Sequence, residues 1–237
     1  MSQAAVSISG LRFAWTRTGP DILDIETFAV AAGERLFLRG PSGSGKSTLL
    51  GLICGVLSPD AGTLSVLGHE MSMLNGGRRD TVRGDQLGVI FQMFNLVPYL
   101  TVVQNVTLPL RFSAARRSRI SGSAEAEAKR LLSQLGLNDP SIQSRKVVDL
   151  SVGQQQRVAA ARALIGSPAL VIADEPTSAL DTDARDRFIA LLSAEATRSG
   201  AALLFVSHDR ALAAQFDRAV DLTEINRAGT SVALEPA

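Results

Sequence analysis

The sequence predicts an α/β fold with a mostly parallel sheet, an antiparallel β edge and an inserted helical subdomain. Short apolar runs recur at 36–38, 87–91, 170–173 and 203–206, nearly unbroken as strands covered on both faces must be, and segments of helical periodicity separate them. Runs at 6–15, 22–30 and 63–67 read as further strands and are assigned to the antiparallel edge. From Gln92 to Ala163 the pattern turns helical, at 102–110, at 124–135 with Gly136 as the C-cap, and at 153–165.

A chain of 237 residues holds one core with a sizeable subdomain, so one functional module is expected. The net charge of +1 lacks the basic excess of a nucleic-acid binder, and nucleic acid is not an expected partner. A lone cysteine, Cys54, excludes an intrachain disulfide, and its apolar neighbours Ile53 and Val56 mark it as buried. The start of the chain has neither a basic opening nor an unbroken apolar stretch, so a secretory signal is not expected and the cytoplasm is. Residues 86–110 carry no charge, yet Gln92, Asn95, Pro98, Gln104, Asn105 and Pro109 would be costly in lipid. This stretch is therefore read as protein interior plus a partner surface. The link 113–123, with Arg116, Arg117 and Arg119, is read as a surface loop in preference to a site for anionic lipid headgroups.

Between the first parallel strand and the helix after it lies Gly40-Pro41-Ser42-Gly43-Ser44-Gly45-Lys46-Ser47-Thr48. Gly-x-x-x-x-Gly-Lys-Ser in that setting points to a phosphate cradle. Glycines let the backbone curl its amides inward, and the helix start adds a positive dipole end. Lys46 can reach the outer phosphates and the Ser47 hydroxyl can ligate Mg²⁺. A plain surface turn would not require Lys46 and its following hydroxyls. A dinucleotide fingerprint would require Gly or Ala where Thr48 stands.

Two more strands end in chemistry. Residues 169–173 run into Asp174-Glu175-Pro176, placing two carboxylates where parallel sheets bind ligands. Asp174 suits the Mg²⁺ shell beside Ser47, and Glu175 can polarise a water in line with the terminal phosphate; helix capping is the alternative role for such acids. The strand at 203–206 delivers His208 to the same kind of edge, in reach of a γ-phosphate. Leu150-Ser151-Val152-Gly153-Gln154 opens a helix, with Ser151 as N-cap, and such a start is also an anion site. His69, in a turn-like stretch, is assigned nothing.

With these motifs in this order, the chain resembles the ATP-binding cassette (ABC) ATPase family over nearly its full length. Residues 40–48 are similar to Walker A, Gln92 to the Q-loop glutamine, 150–154 to the signature, 170–175 to Walker B with its catalytic glutamate, 178–181 with Asp181 to the D-loop, and His208 to the switch histidine. Trp15 stands where the family places an aromatic that stacks on adenine; packing in a core is the alternative. One departure is Val152, where the signature usually has glycine, and a β-branched residue there forbids positive φ.

The resemblance implies a P-loop NTPase (RecA-like) core with a β subdomain from 1–92 and 164–237, a helical signature subdomain from 93–163, and one domain over 1–237. It implies hydrolysis of ATP with Mg²⁺, with Glu175, His208 and Gln92 catalytic, and Ser47, Gln92 and Asp174 at the metal. Trp15, Gly40, Ser42, Gly43, Ser44, Gly45, Lys46, Ser47, Thr48, Ser151, Gly153, Gln154 and Asp181 would bind nucleotide across a head-to-tail pair of copies. Partners would be integral-membrane permease chains, with or without a periplasmic adaptor, docking at 94–100 unless that segment is simply buried. The protein would thus sit peripherally on the inner face of the membrane. Residues 91–98 with 175–181 most resemble the lipoprotein-release and macrolide-export branch. A regulatory ATPase acting on cell-envelope remodelling through a permease-like partner is the alternative. The chain end soon after the last strand leads us to expect no added regulatory domain.

Overall fold

Alternation of short β-branched runs with amphipathic segments produces, in order, β1 (Val6–Phe13), β2 (Leu23–Val30), β3 (Arg35–Arg39), α1 (Lys46–Ile53), β4 (Ala61–Val66), β5 (His69–Glu70), α2 (Gly76–Gln86), β6 (Leu87–Ile90), α3 (Val102–Thr107), α4 (Pro109–Phe112), α5 (Ala114–Ser118), α6 (Ala124–Gln134), α7 (Pro140–Gln143), α8 (Val152–Leu164), β7 (Leu170–Asp174), α9 (Thr182–Ser199), β8 (Ala202–Val206), β9 (Arg218–Asp221) and α10 (Leu222–Ile225). The structure is a computed structural model and describes residues 4–178 and 180–228. Two compact units arise, one of Met1–Arg83 with Leu204–Ala237 and the other of Gly84–Leu203.

In the first unit, β2-β1-β4-β5 form an antiparallel sheet. Val6 and Ile8 face inward from β1, but the next buried side chains are Leu11 and Phe13, so the alternation slips by one residue. A register shift between Ser9 and Arg12 accounts for the slip, with Gly10 at φ 57° supplying the left-handed step of a bulge. Leu67 (φ 50°) and Gly68 (φ 81°) form a two-residue turn that pairs His69 with Val66, so the turn-like stretch ends in the short strand β5. The parallel strands of this unit run in the order β8-β3-β9, β8 contributing Leu204–Val206. Behind β3, Phe37, Phe205 and Phe216 cluster with ring centroids 5.1 to 6.3 Å apart.

In the second unit the order is β6-β7-β8, with Leu87–Ile90 in parallel register with Leu170–Ala173 and the Ala202 amide donating to the Ala169 carbonyl at 3.0 Å. Helices α3, α6 and α8 pack together here, each presenting fully buried residues such as Val106, Leu132 and Val158. The helix expected over 102–110 is broken: α3 ends at Thr107, and Pro109, which has no amide to continue the ladder, starts α4.

The link 113–123 is exposed at 114, 117–119 and 121–123, as expected of a surface segment, but it is not all loop. It contains α5, and Arg116 is only 2% exposed. Its guanidinium donates to the carbonyls of Ala163 and Ile165 at the end of α8 and to that of Leu87, while Arg119 donates to Asp85 and Gly166 carbonyls. The last carbonyls of a helix have no intrahelical donor, and a guanidinium fork can satisfy several at once. Burial pushes Arg116 down to about 10, Arg119 adding to the shift and Asp85 opposing it, so it remains a cation at neutral pH. Arg116 thus serves the interior, while Arg117 and Arg119 are exposed.

Cys54 is buried as expected. Among the described residues, no helix is long and apolar enough to cross a membrane.

Candidate functional site

The first unit assembles the phosphate loop. Leaving β3 at Arg39, the chain turns through Gly43 (φ 81°) and Gly45 (φ 96°), a backbone that side chains with a Cβ resist, and Gly45 is the N-cap of α1. Gly40 matters for space instead: a Cβ there would lie 2.6 Å from the Ser44 hydroxyl. Lys46 Nζ donates to the carbonyls of Gly40 (2.7 Å) and Pro41 (2.9 Å), folding back over its own loop. Asn226 braces the loop from α10, its amide donating to the carbonyls of Ile22 (2.9 Å) and Ser44 (3.3 Å). Ser42 and Ser47 are exposed and Thr48 is buried.

His208 follows β8 in the same unit, and the Ser207 amide donates to the Leu38 carbonyl, so β3 and β8 deliver the loop and the histidine to one edge. The histidine is exposed. Trp15 is 63% exposed, touching Phe13 edge-on at 5.2 Å, and is not a core residue. An Asp60 carboxylate accepting the Ala14 amide at 2.8 Å ends β1 just before it.

The second unit gathers the acidic groups. Since Ile90 pairs with Ala173, Gln92 and the Asp174-Glu175 pair follow the same edge of β6-β7. Gln92 is exposed, and Asp174 and Glu175 are half-buried. Glu175 holds φ 46°, an uncommon backbone for a residue with a side chain and one that concentrates where function demands it. Asp181 caps α9, its carboxylate accepting the Ala184 amide at 2.8 Å.

At the signature, Ser151 and Gln154 form a reciprocal capping box at the start of α8: the Ser151 hydroxyl accepts the Gln154 amide and the Gln154 side chain accepts the Ser151 amide. Val152 is the first residue of that helix and half-exposed, and neither it nor Gly153 has positive φ. The expected conflict at Val152 therefore does not arise, because a helical backbone accepts valine.

Residues 94–100 are exposed or half-exposed, with Tyr99 at 74%, so they are not simply interior. Their shape depends on Asn105, fully buried, whose side chain accepts the Val97 amide and donates to the carbonyls of Val97, Leu100 and Thr101. Sequence reasoning did not single out Asn105 for this role, nor Asn226, Asp60 or Arg162. Each is a polar residue whose partner loop is fixed only by folding, and no spacing marks it.

A glycine-turned loop at a helix start, paired strand-end acids and a helix opened by a capping box are the features of one class, and the family comparison places the chain in it: residues 23–178 match the model for the ABC transporter family. The chain belongs to that family and is one of its ATP-binding, ATP-hydrolysing subunits. It is 40% identical over 222 residues, 92% of this chain and 90% of the relative, to the lipoprotein-releasing system ATP-binding protein LolD of Anaeromyxobacter dehalogenans. It is 42% identical over 83% of each chain to LolD of Hydrogenovibrio crunogenus. Among solved structures it resembles the dimeric ABC transporter cassette MJ0796 at TM-score 0.79 and 30% identity, covering 91% of this chain and 93% of that one. A dimeric post-hydrolysis state of MJ0796 bound to ADP and Pi superposes at TM-score 0.80 and 32% identity, with the same coverage.

Proposed function

We propose that this chain hydrolyses ATP as a head-to-tail pair and thereby drives a separate membrane permease, with 1–92 and 164–237 as the nucleotide-binding core and 93–163 as the signature subdomain. The observation that carries the reading is the loop at 40–48: two left-handed glycines curl it, and the buried Ser44 hydroxyl within it has no hydrogen-bond partner among the described residues. Such a cradle fits a polyphosphate. Trp15 stacks on adenine, and Lys46 leaves its own carbonyls for the β- and γ-phosphates. Ser47, Asp174 and Gln92 hold Mg²⁺, a set of hard oxygen donors suited to that ion. When bound, Mg²⁺ neutralises charge on the phosphate oxygens.

Glu175 takes a proton from the attacking water as its oxygen bonds to the γ-phosphorus, and the bond to the bridging oxygen of ADP breaks. His208 orients the γ-phosphate. Ser151, Gly153 and Gln154 of the second copy close over the triphosphate, and Asp181 links the two sites. Exposure of 94–100 supports a docking surface for permease chains, which would hold the protein peripherally on the cytoplasmic face of the membrane. Similarity to LolD supports the lipoprotein-release branch, with or without a periplasmic adaptor.

Glu175→Gln tests the core of this. It removes the base and leaves phosphate contacts in place, so turnover should fall by roughly 10²- to 10⁴-fold while ATP-bound dimers accumulate on size exclusion. Turnover near wild type in that variant would overturn the assignment.

A further inference from the structure

The chain leaving Gln92 passes through two consecutive left-handed residues, Phe94 (φ 58°) and Asn95 (φ 49°). Neither is glycine, and for an aromatic side chain this backbone is disfavoured, so something outside the loop must hold it. Local bonds are few: the Phe94 amide donates to the Phe91 carbonyl at 2.9 Å and the Asn95 amide to the Met93 carbonyl at 2.6 Å. The carbonyls of both left-handed residues are taken by one residue of α8. Arg162 donates through Nη2 to the Phe94 carbonyl (2.5 Å) and through Nη1 to the Asn95 carbonyl (2.6 Å), a planar fork on two successive carbonyls. Burial has also stripped this guanidinium of much of its water, lowering its pKa. Helix α8 carries the signature serine at its start and this strut near its end.

We propose that Arg162 is a positioning residue for Gln92: by clamping the carbonyls of Phe94 and Asn95 it fixes the left-handed turn that sets where the Gln92 side chain stands. This rests on the role given to Gln92 above. Lysine keeps the charge but, as a single ammonium, cannot present two parallel donors in one plane. A residue two or three positions from the clamp would then shift by a fraction of an ångström or more, enough to slow a step that depends on placement.

The test is a double-mutant cycle on the full chain, with ATP turnover and its Mg²⁺ dependence as readouts and thermal melting alongside. Arg162→Lys should lower kcat by roughly 10- to 100-fold and raise the Mg²⁺ concentration for half-maximal rate. Gln92→Ala should do the same, and the double variant should be no slower than Gln92→Ala alone, because Arg162 acts only through that side chain. Effects that multiply would overturn the proposal and leave the assignment of Gln92 intact; so would wild-type kinetics in Arg162→Lys. Wild-type kinetics in Gln92→Ala would instead sink the role of Gln92, and the proposal with it. Should Arg162→Lys melt below the assay temperature, the cycle is run at a temperature below the midpoints of all the variants, where the same rates and Mg²⁺ dependence are read.

Discussion

The phosphate loop at 40–48 and the Gln92 loop at 91–97 both bend through left-handed backbone, but they reach it by opposite means. In the first, glycines occupy the left-handed positions and the lysine bonds to its own loop, so most of the geometry is written within nine consecutive residues. In the second, phenylalanine and asparagine take those positions, and the hold comes from Arg162 and Asn105, on two different helices. A loop built from conformational permission keeps its shape when a contact is lost, whereas a loop built against preference depends on its braces.

Removing Lys46 probes the first loop most severely. Lys46→Ala should weaken ATP binding roughly 10- to 100-fold, the worth of about 1.5–3 kcal/mol in charge-assisted hydrogen bonds. The thermal midpoint should move by no more than about 2–4 °C, since glycines carry the backbone. Calorimetry and melting read the two quantities separately, and a large drop in midpoint with unchanged affinity would invert the contrast.

Next in size is Gly45→Ala. Its Cβ would lie 2.8 Å from Leu23 Cδ2 at a residue with φ 96°, and a loss of about 2 kcal/mol in urea unfolding is expected from strain at that φ. Asn105→Ala attacks the second loop: one buried side chain's four bonds to the backbone disappear, costing about 1.5 kcal/mol of stability. Turnover should fall with it while ATP affinity holds, which distinguishes a braced loop from a self-contained one.

The cluster of Glu195 with Arg130 and Arg198 sharpens the comparison by its pH dependence. Burial raises the Glu195 carboxyl, but hydrogen bonds from Arg198 and Arg130 outweigh this and leave its pKa below the ordinary value. A depressed folded-state pKa means stability that is present above the unfolded-state pKa and lost as pH falls through the folded one. Glu195→Gln should therefore cost about 1–2 kcal/mol at neutral pH, with the gap to wild type closing below about pH 4 in chemical-denaturation series.

Much of the fold was legible before folding. The four buried strands at 36–38, 87–91, 170–173 and 203–206 all appear, with no end shifted by more than one residue. The Gly136 cap appears too, at φ 80°. Within the arginine-bearing link only Arg116 was misjudged, because a cation in a polar stretch looks solvated and nothing nearby in sequence discloses the helix-end carbonyls 47 to 49 residues away that bind it. Positive φ is not required at Val152, because that position belongs to a helix start, which residue type alone does not specify.

Residue order was enough to propose the phosphate loop, the strand-end acids and the signature, and to place the signature's N-cap, because each is a local pattern written by neighbours a few residues apart. Folding alone assigned the supports: Asn226 under the loop at 40–48, Asn105 of α3 on Val97 and Leu100, Arg116 on the end of α8 and Arg162 on the Gln92 loop. A buried carbonyl must find a donor, and which distant side chain reaches it is settled by how the helices and strands pack.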